Sequence, residues 1–129
     1  MISWGIIGCG NVTELKSGPA FNKVPQSTLR AVMRRDAAKA EDYAARHQVP
    51  CWYSDAAALI NDPAVNAVYI ATPPKFHEEY AVAALEKGKA VYVEKPVAVS
   101  VAACKRMADA LKANDGKLVV AHYRRGLPM

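Results

Sequence analysis

Six short apolar runs, each separated from the next by a stretch long enough to hold a helix, constrain this chain more than any other feature. They fall at Ser3–Ile7, Thr28–Met33, Cys51–Tyr53, Ala67–Ala71, Ala90–Val93 and Leu118–Ala121. Parallel strands need a crossover of a dozen or more residues between them, whereas antiparallel neighbours can be joined by a tight turn. Most of the runs are continuously apolar, as expected of strands covered on both faces. The alternation therefore predicts an α/β fold, a doubly wound parallel sheet of six strands in the order 3-2-1-4-5-6. A five-stranded doubly wound sheet of flavodoxin type is the other arrangement the same alternation permits.

The intervening segments carry helical spacing. Ala40, Tyr43, Ala44 and His47 share one face, and Asp36 stands where an N-cap belongs. His77, Ala81, Ala84 and Leu85 form a second stripe, with Pro74 suited to the first turn. Ser100 is the expected N-cap of a later helix whose inward face is expected to be Val101, Cys104, Ala108 and Leu111. Ser17-Gly18-Pro19 falls inside the first helical segment, so a break or kink is expected near Lys16–Gly18.

Composition narrows the function classes. With 129 residues, 52% of them hydrophobic, the chain has material for one globular core. No apolar run reaches the ~18 residues that mark a membrane span. The start, Met1-Ile2-Ser3-Trp4, runs directly into a strand and has no signal-peptide pattern. Cys9, Cys51 and Cys104 lack metal-ligand spacing, which favours reduced thiols in a cytoplasmic setting and no metal. Asn11-Val12-Thr13 matches a glycosylation acceptor by chance in such a setting. The net charge of +5 is dispersed, with tight basic pairs only at Arg34-Arg35 and Arg124-Arg125. Without basic–aromatic interleaving or a zinc pattern, this fits a small anionic ligand better than a nucleic acid.

The first strand ends in Gly8-Cys9-Gly10-Asn11-Val12-Thr13. Gly8 permits a tight turn, and Gly10 lets backbone approach a pyrophosphate at a helix start, with Asn11 and Val12 beside it. Thr13 takes the third glycine position, where close helix–strand packing is normally made. In such a fold the end of the second strand meets the adenosine ribose. A carboxylate there bonds the 2′-hydroxyl of NAD, and an arginine accommodates the 2′-phosphate of NADP. Arg34 occupies that position, and Arg35 can stack on adenine or add a second charge. NADP(H) is the expected cofactor, with NAD possible.

Two further strand ends bear on the same edge. Thr72-Pro73-Pro74 follows the fourth strand; the prolines fix the loop and leave the Thr72 hydroxyl as a contact. His77 follows, readable as a satisfied structural histidine or as a group facing the ligand. The fifth strand ends in Glu94-Lys95-Pro96, a strand ending that makes sense only if its edge faces something. Lys95 can exchange a proton with a substrate oxygen while hydride moves, and Glu94 can orient it or contact the nicotinamide ribose. Pro96 restricts Lys95 to extended backbone.

Gly5-Ile6-Ile7-Gly8-Cys9-Gly10, Ala71-Thr72-Pro73-Pro74 with His77, and Gly88-Lys89-Ala90-Val91-Tyr92-Val93-Glu94-Lys95-Pro96 together resemble the N-terminal domain of the glucose–fructose oxidoreductase, inositol dehydrogenase and rhizopine-catabolism family. The resemblance implies a Rossmann domain of an NAD(P)-dependent oxidoreductase acting on sugars, cyclitols or related compounds, with Lys95 as the catalytic lysine. Cofactor contacts are then expected from Gly8, Gly10, Asn11, Val12, Arg34, Arg35, Thr72, Pro73, His77, Glu94 and Lys95. It also implies a C-terminal α/β domain that builds the substrate wall and oligomer interface, which this chain lacks. Residues 1–121 are expected to be the dinucleotide domain and 122–129 the start of the connection. Turnover by the chain alone is not expected, and a homo-oligomer is expected of the family's interface. The competing readings are a non-catalytic dinucleotide-binding or sensor module and, more remotely, an S-adenosylmethionine methyltransferase, which has no use for Glu94-Lys95-Pro96.

Overall fold

A computed structural model describes residues 2–8, 25–94 and 100–121 of the chain. Six parallel strands form one sheet: β1 (Ile2–Ile7), β2 (Ser27–Met33), β3 (Cys51–Tyr53), β4 (Ala67–Ile70), β5 (Ala90–Glu94) and β6 (Leu118–Ala121). Their spatial order is β3-β2-β1-β4-β5-β6, the doubly wound order, which excludes the five-stranded alternative. The expected strand bounds are met to within one residue at either end. The largest consequence is at β5, which continues through Glu94 and so carries that side chain on the strand itself.

Helices α1 (Ala37–Arg46), α2 (Ala56–Ile60), α3 (His77–Glu86) and α4 (Val101–Ala113) connect these strands. Asp36 caps α1 by accepting from the Lys39 amide, and Ser100 caps α4 by accepting from the Ala103 amide, as their sequence positions imply. Ala40, Tyr43 and Ala44 are buried under the β1–β2 side of the sheet; His47 ends α1 half-buried, its ring 4.3 Å from that of Tyr43. All four residues of the α3 stripe are buried. A 3₁₀ turn at Pro74–Phe76 precedes α3.

The expected inward face of α4 needs correction. Ala103 and Met107 are its buried residues, Cys104 and Leu111 are half-buried, Ala108 is exposed, and Val101 is 78% exposed. The true face is rotated by one residue, about 100° around the helix. Helix α4 packs on α3, where Arg106 grips Glu78 through both carboxylate oxygens, at 2.5 and 2.8 Å, and the small Ala103 side chain faces inward. Helical spacing alone permits either face; the packing against α3 selects the one with Ala103 and Met107.

The core has two halves. Ile7, Met33, Leu59, Val68, Ile70, Leu85 and Val93 lie on the side covered by α2, α3 and α4, and Ile6, Leu29, Val32, Tyr43 and Tyr69 lie on the other. The alternation along β1 sends Ile6 and Ile7 to opposite sides, which is how a strand buried on both faces serves two cores. The glycine turn after Gly8, the expected helix break at Lys16–Gly18, and Lys95 with Pro96 lie outside the described residues, as does Cys9.

Candidate functional site

Parallel strands all point the same way, so the ends of β2, β1, β4 and β5 bring Arg34 and Arg35, Gly8, Thr72 and Glu94 to one edge, in that spatial order. Three interstrand steps separate the first from the last, about 14 Å. That edge is where ligands bind in open α/β sheets, and the crevice lies where strand order reverses, between β1 and β4.

Gly8 has φ +90°, a conformation that favours glycine. Its amide donates to the Met33 carbonyl at 2.9 Å, and a Cβ there would come within 2.8 Å of Thr72 Cγ2 and 3.1 Å of the Thr72 amide nitrogen. A side chain would therefore displace backbone. Glycine here joins the β2 end to the loop after β4.

That loop is held from beneath. His77 is fully buried, and its Nε2 lies 2.8 Å from the Thr72 carbonyl oxygen. A carbonyl only accepts, so the ring carries its proton on Nε2. His77 thus supports Thr72 and presents no surface to the cleft, the structural one of its two sequence readings. Thr72 itself lines the cleft, and its Oγ1 is buried with no hydrogen-bond partner among the described residues.

A cavity of about 410 Å³ opens between the β2 end and this loop, lined by Gly8, Met33, Arg34, Arg35, Asp36, Lys39, Ala71, Thr72, Pro73, Phe76 and Tyr80. The Arg34 amide donates to the Tyr53 carbonyl at 3.1 Å, which ties this backbone to β3. The Arg35 guanidinium sits 4.3 Å from the centre of the Phe76 ring, and Phe76 stacks with Tyr80 at 6.1 Å and 24°. Lys75 Nζ also approaches this ring, 5.1 Å from the Phe76 centroid. Asp36 accepts from the Lys39 amide at 3.3 Å as the α1 cap. Three cations and one capping carboxylate therefore line a cleft with an aromatic wall, a combination suited to an anionic ligand carrying a flat ring.

Lys39, Phe76 and Tyr80 are not among the residues expected from the sequence. Lys39 is placed by the α1 cap, so the signal was its position three residues after Asp36. Phe76 and Tyr80 depend on the 3₁₀ turn, which the proline pair only hints at.

At the far end, the Tyr69 hydroxyl donates to Glu94 Oε1. Tyr92 packs edge-on against Tyr69 at 5.2 Å and 88°, and edge-on against Trp4 at 6.3 Å. Burial, and then the Glu94 charge, raise the Tyr92 phenol above its ordinary pKa. Gly10, Asn11, Val12 and Lys95 lie outside the described residues. Among the described residues no group of three or more His, Cys, Asp or Glu could hold a metal, and no helix is long and apolar enough to cross a membrane.

The described residues fit a dinucleotide. Gly8 and Thr72 line the cleft side by side, the buried Thr72 hydroxyl lacks a partner among the described residues, and Arg34, Arg35 and Lys39 gather at the β2 end, where an adenosine phosphate would lie. Comparison with known proteins agrees. Residues 2–122 match the family model described as "Oxidoreductase family, NAD-binding Rossmann fold" (Gfo/Idh/MocA). Oxidoreductase P35 of Formosa agariphila is 53% identical over 128 residues, 99% of this chain and 40% of that protein. The scyllo-inositol 2-dehydrogenase (NADP(+)) IolU of Bacillus subtilis is 34% identical over 128 residues, 99% of this chain and 39% of its own length. A crystal structure of an NAD binding oxidoreductase from Klebsiella pneumoniae superposes with a TM-score of 0.82 at 34% identity, over 93% of this chain and 34% of that one. The chain thus spans about two fifths of the curated relatives it matches.

Proposed function

This chain belongs to the Gfo/Idh/MocA oxidoreductase family with its NAD-binding Rossmann fold, and on that footing we propose that it is the NADP(H)-binding domain of an enzyme moving hydride to or from a sugar, cyclitol or related hydroxyl or carbonyl compound. The observation that carries the cofactor choice is the convergence of Arg34, Arg35 and Lys39 on one cleft beside Gly8. Arg34 stands where an NAD site places a carboxylate, and the acid two residues on, Asp36, is committed to capping α1. The Bacillus subtilis relative is named for NADP(+), which points the same way.

In this reading Arg34 and Lys39 bind the 2′-phosphate, and Arg35, backed by Phe76, offers a flat cation to the adenine. Thr72 and Pro73 line the middle of the edge, and Glu94 meets the nicotinamide ribose. Gly10, Asn11 and Val12 belong to the pyrophosphate turn by sequence. Bound nicotinamide supplies the hydride chemistry. Lys95, which follows Glu94 in the chain, holds or releases the proton at its Nζ as the substrate oxygen changes between hydroxyl and carbonyl. Residues 1–121 form the dinucleotide domain and 122–129 begin the connection to a substrate domain. A cytoplasmic setting accords with the free thiols of Cys51 and Cys104.

The test is hydride transfer by a longer chain that continues past Met129. We expect nicotinamide-dependent oxidation or reduction of cyclitols or sugars, lost with Lys95→Ala while cofactor binding persists. Cofactor binding without turnover in any longer chain would instead support the non-catalytic sensor reading.

A further inference from the structure

β4 is buried at all four positions, Ala67, Val68, Tyr69 and Ile70. Three of them are aliphatic or small, as such a strand requires. Tyr69 is the exception: fully buried, yet bearing a hydroxyl. A buried phenol is costly unless its O–H finds an acceptor. In register, Tyr69 lies opposite Tyr92 on β5, and Glu94 is the next β5 residue on the same face. A diagonal neighbour of this kind is within reach of an aromatic side chain. The hydroxyl donates to Glu94 Oε1, while the Tyr92 ring walls Tyr69 edge-on. A carboxylate at the last position of an edge-facing strand is thereby held from inside the core.

We infer that Tyr69 is a positioning residue, whose phenol fixes the Glu94 carboxylate at the β5 end for the ribose hydroxyls on the nicotinamide side of the cofactor. The inference rests on the dinucleotide reading given above. Its spatial logic is separable from that reading, however. Glu94 stands three strands from Arg34, so the two residues serve different halves of one ligand. Ordering a glutamate in advance removes the entropy of fixing it when the ligand arrives. The phenol supplies that order without itself reaching the edge.

The experiment compares two ligands on the 129-residue chain by calorimetric titration: NADPH, and adenosine 2′,5′-bisphosphate, which carries only the adenosine half. Tyr69→Phe keeps the buried ring and removes the hydroxyl. It should weaken NADPH about tenfold, the scale of one hydrogen bond to a charged group, and leave the bisphosphate within about twofold. Glu94→Ala, which removes the acceptor, should weaken NADPH at least as much, and adding Tyr69→Phe to it should cost little more, because the two act as one unit. Unchanged NADPH affinity in Tyr69→Phe would overturn the inference. So would equal loss for both ligands, which signals general loosening, or an undiminished further loss in the Glu94→Ala background. If the wild-type chain binds the bisphosphate but gains nothing from the nicotinamide half, the inference fails and the adenosine site stands. If it binds neither, the dinucleotide reading itself fails.

Discussion

The two ends of the sheet are built on opposite principles. At the amino end, polar groups answer one another. Lys89 Nζ donates to the carbonyls of Asp62, at 3.0 Å, and Val65; the Ser3 amide donates to Asn66 Oδ1 at 2.8 Å; the Asn66 amide returns to the Ser3 carbonyl at 2.9 Å. At the carboxyl end, Arg34, Arg35 and Lys39 line an open cleft, Thr72 Oγ1 is buried without a partner among the described residues, and Gly8 lacks the Cβ that would press on Thr72. Same strands, same core, different bookkeeping of polar groups. The difference lies in polar groups and not in backbone strain: positive-φ residues stand at both ends, Gly8 at this one and Gln26, Gln48, Gly88 and Asp115 at the other, whereas the Thr72 hydroxyl that lines the cleft has no partner among the described residues.

The largest expected effect comes from crowding the contact between Gly8 and Thr72 at the carboxyl end. Gly8→Ala puts a Cβ against Thr72 backbone at positive φ and should cost about 2–3 kcal/mol of stability, with loss of NADPH binding, read by denaturant unfolding and titration. Near-wild-type stability would mean that this end is no more constrained than an ordinary turn. Next comes the amino end. Lys89→Met keeps the aliphatic stem and strips the donor from two carbonyls, for about 1–2 kcal/mol, while NADPH affinity stays within about twofold. If that substitution also abolished cofactor binding, the two ends would not be independent.

The smallest effect is one of pH, also away from the cleft. Tyr53 donates to Asp62 Oδ2 at 2.8 Å, and this hydrogen bond, with burial, raises its phenol to about 12 from 10.0. The folded state therefore holds the proton more tightly than the unfolded chain. The associated stability is complete below pH 10 and is lost as pH rises from 10.0 toward about 12. Tyr53→Phe should flatten that alkaline slope in thermal unfolding; an unchanged slope would locate it in another group.

Much of this was legible in the sequence because parallel sheets announce themselves through length and hydrophobicity. The six runs, the Asp36 and Ser100 caps and the α3 stripe are local patterns, and each residue there obeys its own propensity. Arg34 and Gly8 were readable as site residues because a doubly wound fold assigns a task to those positions in advance. What escaped depends on contacts between segments. The α4 face is set by α3, which a helical period alone cannot phase. Phe76 matters because a 3₁₀ turn carries it to Arg35, forty-one residues away in the chain. Tyr69 reads as one more apolar strand residue until the register places Glu94 beside it.

The central claim is that the carboxyl end is a site for a 2′-phosphorylated dinucleotide, and competitive titration of NADPH against NADH on the wild-type chain and on Arg34→Asp tests it most directly. The wild-type chain should bind NADPH about tenfold or more tightly than NADH, and Arg34→Asp should reverse the order. Equal affinities in the wild-type chain, or tighter NADH, would contradict the account.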